Sequence, residues 1–365
     1  MIYTTNLKDI LTQIDQINPI NYCKTRNYID GAITKLSPYI SRGVISTKMV
    51  VERLLAKGYK PHEIEIFIKQ LAWRDYFQQV GNTLKDDIDK DIKHTQENVR
   101  SLNIPKNIVI ANTTIQSIDN GISELYNTGY MHNHVRMYVA SLCCNFAQCH
   151  WKYPSKWMYY YLLDADWASN TLSWQWVAGS FSSKKYFANQ ENINKYCYSN
   201  QVNTFLDVSY EEFQNYPVPP ELQELVSVNL ATNLPDKTPI IINEQLPSYL
   251  YNMYNLDCMW DIDINANRIL LLEPGFFIKH PVCNNTIQFI IDLSKNISDI
   301  QIYIGEFNEL VSEYNLHNIH FKEHPAFDHY RGIKHKRDWI FEEVTGYYPS
   351  FFNYWKKCQK FFKRF

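Results

Sequence analysis

Apolar residues recur every three or four positions along roughly the first 215 residues, which is the spacing of amphipathic helices. Helix boundary signals accompany this spacing. Ser37 followed by Pro38 predicts a helix N-cap with proline in the first turn, and Ser46 predicts the N-cap of a second helix. Gly58 can adopt the left-handed conformation that ends this second helix. The pattern therefore predicts a helical region at the start of the chain.

The pattern changes after residues 216–239, a segment rich in proline, asparagine and acidic residues that we interpret as a linker. Beyond it, short apolar runs predict buried strands, separated by helical segments such as 286–296. A basic, aromatic helix is predicted over 350–364 and is expected to pack onto its domain. The predicted strands are 240–243, 268–273, 299–305 and 318–323. We expect a mainly α protein with an all-helical domain over 1–235 and a small α/β domain with a parallel sheet over 236–365.

Composition limits the possible functions. With 365 residues and 45% apolar side chains, the chain can bury a large core divided between two folding units. Its 36 basic and 38 acidic residues give a formal charge of −2, so no overall positive field indicates nucleic-acid binding, although a local basic patch remains possible. No signal peptide and no membrane-spanning segment is recognisable, so we expect a cytoplasmic protein without a membrane partner.

The eight cysteines include no CxxC pair, and in a reducing compartment we expect them to remain thiols that serve packing. A group of cysteine and histidine residues could suggest a metal-binding site, but the spacing of these residues matches no tetrahedral ligand set. Its members are His132, Cys143, Cys144, Cys149 and His150. We therefore predict no metal site.

Arg136 lies in an apolar helical segment, where an unpaired charge would be costly. Asp164 and Asp166 are the nearest candidate partners, and either could pair with it. Two buried acids beside one arginine retain hydrogen-bond acceptors that suit a ligand with N–H groups, such as a flavin ring. A purely structural ion pair is the alternative.

Five sequence blocks add a family resemblance. In chain order they are TKLSPY (34–39), QLAWRDYF (70–77), TGYMHNHVRM (128–137), LLDADWASNTLSWQW (162–176) and KKYFANQENINKYC (184–197). These blocks resemble the flavin site of the photolyase/cryptochrome family. The resemblance implies a helical FAD-binding domain with FAD as its cofactor.

Carried over position by position, the resemblance implies FAD contacts by Tyr22, Thr34, Ser37, Arg74, Asn133, Arg136, Asp164, Asp166 and Asn170. Thr34 and Ser37 match contacts of the FAD phosphates, and hydroxyls at a helix start are suited to an anion. Asn170 matches the residue that faces the flavin N5, where an amide can hydrogen-bond in more than one protonation state.

The resemblance also implies a lesion site and an electron-transfer route. The lesion-site residues are Gln70, Trp73, Met137 and Trp176, and the catalytic set is Trp174, Trp151, Asn170 and Gln70. Trp73 and Trp176 match aromatic walls for a flipped-out pyrimidine dimer. Trp174 and Trp151 match the first two tryptophans of the chain that photoreduces the flavin. The third is not recognisable, and the candidates that remain open are Tyr138, Tyr153, Trp157 and residues 159–161.

The chain departs from the family pattern at several places. Gln70 stands where cyclobutane-dimer photolyases carry glutamate, and His134 stands where arginine is usual. (6-4) photolyases carry glutamine at the first position but also a paired-histidine pattern that this chain lacks.

The domain organisation also departs from the family pattern. We expect the flavin domain to begin near residue 1, without the usual N-terminal antenna domain. The C-terminal α/β unit could substitute for that domain, and the antenna pigment is unknown. The segment 188–197 is similar to the iron–sulfur branch, but no cluster ligands are recognisable.

Two functions remain open from the sequence. The first is light-driven repair of damaged DNA, single- or double-stranded, in which reduced FAD passes an electron to a flipped pyrimidine dimer. The alternative is a cryptochrome-like blue-light photoreceptor with an unknown signalling partner. Trp73, Trp176, Met137 and Asn170 favour repair, whereas the near-neutral charge, Gln70 and His134 favour the receptor.

Overall fold

A computed structural model describes residues 3–362, apart from the side chains of residues 214 and 215. The helices are α1 (Leu7–Asp15), α2 (Pro19–Thr25), α3 (Ser37–Ser41), α4 (Thr47–Ala56), α5 (Glu65–Leu84), α6 (Lys106–Val109), α7 (Gln116–Thr128), α8 (Asn133–Ser141), α9 (Lys152–Tyr161), α10 (Trp167–Ala178), α11 (Gln190–Cys197), α12 (Pro274–Lys279), α13 (Asn284–Ser294), α14 (Phe307–Glu313) and α15 (Phe351–Cys358). The strands are β1 (Ile104–Pro105), β2 (Leu225–Val226), β3 (Ser248–Tyr251), β4 (Asn267–Leu272), β5 (Gln301–Ile304), β6 (Ile319–Lys322) and β7 (Ile333–His335). A π-helical segment, Leu142–Phe146, follows α8 directly.

The chain divides into two compact units, and each unit combines separate stretches of the sequence. Unit 1 comprises Met1–Pro19, Thr34–Lys85 and Ala231–Phe365, and unit 2 comprises Ile20–Ile33 and Asp86–Leu230. This division differs from a single cut at 235/236, because α1 and α3 to α5 group with the C-terminal residues. Separate folding of 1–235 and 236–365 stays a prediction.

Unit 1 contains a five-stranded sheet in the order β5-β4-β3-β6-β7, with every neighbouring pair parallel. β3 and β4 are buried along their whole length, as expected for central strands of a parallel sheet covered on both faces. The predicted α/β architecture is confirmed. The helix predicted at 286–296 corresponds to α13, and strands lie near the predicted ranges 268–273, 299–305 and 318–323. The predicted helical region at the start of the chain is confirmed as well.

The predicted strand at 240–243 is wrong, and the sheet uses β3 instead. Residues 240–243 run beside the edge strand β5, but hydrogen bonds from side chains hold them. The Gln301 side chain makes two hydrogen bonds with the Ile241 backbone: its Oε1 accepts the N–H at 2.7 Å, and its Nε2 donates to the carbonyl at 2.7 Å. Asn267 Oδ1 accepts the N–H of Asn243 at 2.9 Å. An apolar run thus lies at the sheet edge without joining its backbone ladder.

The predicted helix signals are partly confirmed. Ser46 caps α4, since its Oγ accepts the N–H of Met49 at 3.0 Å, and Gly58 has the left-handed φ of 93°. Ser37 is not an N-cap: Leu36 holds that position with no side-chain hydrogen bond. The left-handed Lys35 (φ 52°) precedes Leu36, whose own backbone is already helical, so Ser37 falls inside the first turn.

The C-terminal helix packs onto unit 1, as predicted. Ser350 caps α15 by accepting the N–H of Asn353 at 3.3 Å, and Trp355 is buried. The end of the predicted helix at residue 364 lies outside the described residues. Over the described range 3–362, no helix is both long and apolar enough to cross a membrane.

Asp75 is a fully buried acid on α5 of unit 1, and it predicts a pH-dependent stability. Its Oδ1 accepts the hydroxyl of Thr47 at 2.7 Å and its Oδ2 accepts the N–H of Ile340 at 3.0 Å. Burial outweighs these bonds and raises the pKa of Asp75 to about 6 from the ordinary 3.8. Because the folded state holds its proton to a higher pH, the stabilisation is complete below pH 3.8 and is lost as pH rises through about 6.

We therefore expect the free energy of unfolding of the native protein, minus that of Asp75→Asn, to fall by about 2 kcal/mol between pH 4 and pH 7. Urea denaturation at each pH measures this difference, and the subtraction removes titrations shared by both proteins. A difference that stays constant would show that Asp75 ionises at its ordinary pKa, and one that grows with pH would show that folding lowers that pKa.

Candidate functional site

Arg136 and Asp164 form an ion pair inside unit 2. Arg136 lies on α8, and its Nη1 donates to Asp164 Oδ2 at 3.1 Å while its Nε donates to the Met131 carbonyl at 2.8 Å. Asp164 lies in the short connection between α9 and α10 and is 8% exposed. The expected partner of Arg136 is thus present, and it is Asp164 of the two candidates.

Asp166 has a structural role that the sequence analysis missed. It is the N-cap of α10, and its Oδ1 accepts the N–H of Ser169 at 2.7 Å. An aspartate directly before a helical segment is an ordinary capping signal, so this role could have been found from the sequence. The cap orients the first turn of α10, which carries Asn170.

Helix α10 is buried on every side except one strip. The residues along this strip are Ser169, Asn170, Ser173 and Trp176, spaced as neighbours on one helix face. Asn170 Nδ2 donates to the Ser155 carbonyl at 3.0 Å, which fixes the orientation of its amide. Trp176 is 37% exposed, whereas Trp174 on the buried side is 2% exposed. The fold therefore leaves an amide and, between one and two turns further along the same strip, an indole accessible on one helix.

The start of α8 contributes two further predicted contacts. Asn133 is exposed and Met137 half-buried, and the Asn133 amide approaches the Met137 sulfur at 3.9 Å, one helical turn away. Tyr22 on α2, also in unit 2, is half-buried. Burial raises the pKa of the Tyr22 phenol, against an opposing effect of the Arg26 charge.

The two histidines at the start of α8 are uncharged at neutral pH. His132 is buried, and its Nδ1 accepts the N–H of His134 at 3.2 Å. Burial, the neighbouring His132 and the Arg26 charge lower the pKa of His134 to about 4. Nowhere in the described part of the chain do three His, Cys, Asp or Glu side chains converge as a metal site would require.

Trp151 is enclosed in unit 2 at 1% exposure. Its Nε1 donates to Asp91 Oδ1 at 2.6 Å, a partner that the sequence analysis did not identify. Within the described residues, no direct ring contact joins Trp151 to Trp174. Trp157 belongs to a separate aromatic group, where its Nε1 donates to the Tyr126 hydroxyl at 3.2 Å. The third member of the electron-transfer chain therefore remains open.

The other predicted site residues lie in unit 1. Thr34 Oγ1 accepts the N–H of Leu36 at 3.4 Å, and Ser37 is the first residue of the short helix α3. The Arg74 Nη2 donates to the Ser41 hydroxyl at 2.7 Å.

Gln70 and Trp73 lie on α5 of unit 1, and both side chains are half-buried. The indole of Trp73 stacks on Phe351 of α15, with ring centroids 3.8 Å apart and planes inclined by 10°. No local pattern predicts this contact, because Phe351 belongs to the far end of the chain.

Part of the chain is similar in sequence to known proteins. Residues 67–212 match the model of the FAD binding domain of DNA photolyase. A deoxyribodipyrimidine photo-lyase from Alkalihalophilus pseudofirmus is 30% identical over 154 residues, covering 40% of this chain and 31% of that protein. Cryptochrome-1 from Sinapis alba is 27% identical over 195 residues, covering 48% of this chain and 38% of that protein.

The crystal structure of a bacterial class III photolyase from Agrobacterium tumefaciens is 26% identical, has a TM-score of 0.42, and covers 52% of this chain and 42% of that chain. At this TM-score the structural similarity adds no support to the fold assignment. The chain spans about a third of the length of the curated relatives it matches.

Proposed function

Because the chain belongs to the photolyase/cryptochrome family and carries its FAD-binding domain, we propose that it uses light to repair pyrimidine dimers in DNA. The observation that carries this proposal is the exposed indole of Trp176 on the open strip of α10. Large aromatic side chains are usually buried, and an exposed indole beside a cofactor site suits stacking on an extruded base.

The donor set of unit 2 fits FAD. The buried Asp164 carboxylate pairs with the half-buried Arg136 guanidinium in a fixed orientation, and this pair can lie against a flavin ring bearing both N–H groups and carbonyl oxygens. In this proposal Asn170 faces the flavin N5, and Asn133 and Asp166 line the ring or the ribose. Tyr22 would add a further contact in unit 2. For Thr34, Ser37 and Arg74 of unit 1, FAD binding stays a prediction of the family resemblance, with Thr34 and Ser37 assigned to the phosphates. The bound flavin supplies the light-driven electron chemistry.

The lesion would stack on the aromatic side chains that border the flavin. In unit 2, Trp176 would serve as a stacking surface and Met137 as a further apolar contact; in unit 1, the family resemblance assigns a stacking role to Trp73. Gln70 would donate a hydrogen bond from its amide to a carbonyl oxygen of the dimer, a role that an amide can perform without the charge of a carboxylate.

A blue-light photoreceptor without repair activity is the second candidate. The low pKa of His134, about 4, favours it, because the imidazole places no positive charge where DNA phosphates would need one. The flavin would then be photoreduced through Trp174 and Trp151, and the partner would be a protein.

A repair assay separates the two functions. The purified protein, chemically reduced, is mixed with single- or double-stranded oligonucleotides that carry a cyclobutane dimer or a (6-4) product. We expect light-dependent loss of one lesion, a large decrease of that activity in Trp176→Ala, and unchanged activity in Tyr198→Ala, which removes another exposed aromatic of unit 2. If protein with bound, reducible flavin removes neither lesion, the repair function is wrong and the photoreceptor remains.

A further inference from the structure

Phe351, the first residue of α15, packs against two aromatic side chains of unit 1. Its ring stacks on the Trp73 indole at a centroid distance of 3.8 Å, and the Trp355 ring lies nearly parallel to it at 6.1 Å with an inclination of 16°. Phe351 is 2% exposed. Its position is therefore set by packing against these two rings.

The C-terminal segment is attached to α5 along several turns, so this contact is part of an extended interface. The Tyr76 hydroxyl donates to the Tyr348 carbonyl at 3.1 Å, and the Tyr76 ring packs on Tyr354 at 5.7 Å. Further towards the start of α5, Gln359 donates to Glu65 at 3.3 Å. These attachments hold α15 in one register against α5, and Phe351 with it.

Phe351 covers only one face of the Trp73 indole. The neighbouring Tyr76 and Phe77 rings are inclined to the indole by 78° and 53°, so they contact it without stacking. Among the described residues no second ring stacks on the opposite face. Trp73 remains half-buried, which leaves part of the indole accessible.

We propose that Phe351 is a positioning residue for the lesion site: it stacks on the back of Trp73 and fixes the plane of the indole, so that the opposite face can receive a flipped base. This inference rests on the proposed repair function. A stacking surface held in one orientation before binding loses less entropy when the base arrives. The C-terminal segment thereby takes part in substrate recognition without touching the substrate.

The test compares two adjacent phenylalanines of the same helix in the full-length, FAD-bound protein. Phe351→Leu keeps an apolar side chain of similar size but removes the flat ring, whereas Phe352→Leu changes a residue that is 69% exposed. We expect Phe351→Leu to bind an oligonucleotide with a cyclobutane dimer about three- to tenfold more weakly in the dark, the size of a lost aromatic pair. Phe352→Leu should bind normally, and Phe351→Tyr, which keeps the ring, should restore affinity. Equal affinity of Phe351→Leu and the native protein would overturn the inference.

A second measurement follows the orientation of Trp73 without any DNA. Acrylamide quenching of Trp73 is obtained by subtracting the signal of the matching Trp73→Phe protein. We expect quenching to increase in Phe351→Leu and to stay unchanged in Phe352→Leu; unchanged quenching in Phe351→Leu overturns the positioning role whatever the protein binds. If quenching increases but the native protein shows no preference for damaged DNA, the positioning role stands and the repair function fails.

Discussion

Replacing Arg136 with methionine should abolish FAD binding and lower the free energy of unfolding by about 3 kcal/mol. The substitution removes the guanidinium at 3.1 Å from Asp164, whose carboxylate is 8% exposed and would be left as a buried charge without its cation. Methionine keeps most of the apolar volume of the arginine stem, so the change isolates the charge. Urea denaturation of the apoprotein measures stability, and the flavin content of the purified protein measures binding.

Two controls separate the buried pair from a surface pair. Arg53→Met breaks the ion pair with Asp15, in which both side chains are well exposed, and should change stability little because solvent screens such charges. The double variant Arg136→Met/Asp164→Leu removes the buried charge as well and should recover much of the lost stability while still failing to bind FAD. An Arg136→Met protein that retains its flavin would contradict the proposed site.

Replacing Trp174 with phenylalanine should nearly abolish photoreduction of bound FAD under blue light. Trp174 is 2% exposed, on the buried side of the helix that carries Asn170 on its open strip, and phenylalanine cannot replace indole as an electron donor. Bleaching of the flavin absorbance in the presence of an external thiol follows the reaction. Trp151→Phe should have a similar effect if Trp151 is the next donor.

Trp157→Phe is the matched control for this experiment. Trp157 is as deeply buried, but it belongs to the separate group with Tyr126, so its replacement should leave photoreduction intact. Photoreduction that is unchanged in Trp174→Phe would indicate a flavin protein without this electron route. If Trp157→Phe is slow and Trp151→Phe is not, the route runs through the Tyr126 group.

Local signals accounted for the elements whose boundaries depend on neighbouring residues. The Ser46 cap, the left-handed Gly58 and three of the four predicted strands follow from short-range conformational preferences. The failures arose where distant groups intervened. The apolar run at 240–243 is held by the side chains of Gln301 and Asn267, while β3, with the sequence Ser-Tyr-Leu-Tyr, takes the central place in the sheet.

The candidate site shows the same distinction. The need of Arg136 for an acid could be predicted, because it lies in an apolar helical segment where an unpaired charge is costly. The sequence left Asp164 and Asp166 as equal candidates. The helix start at Trp167 decided between them, because it uses Asp166 as the N-cap of α10, and Asp164 pairs with Arg136.

The sequence by itself determined the helical and α/β character of the two regions, the family resemblance and the residue types available for a flavin site, since these depend on composition, periodicity and motif. Only the tertiary structure decided that Trp176 is exposed while Trp174 is buried, and that Phe351 stacks on Trp73. Residues far apart in the chain meet through packing of whole elements, and no local pattern encodes that geometry. Burial of an indole likewise depends on which elements cover it once the chain is folded.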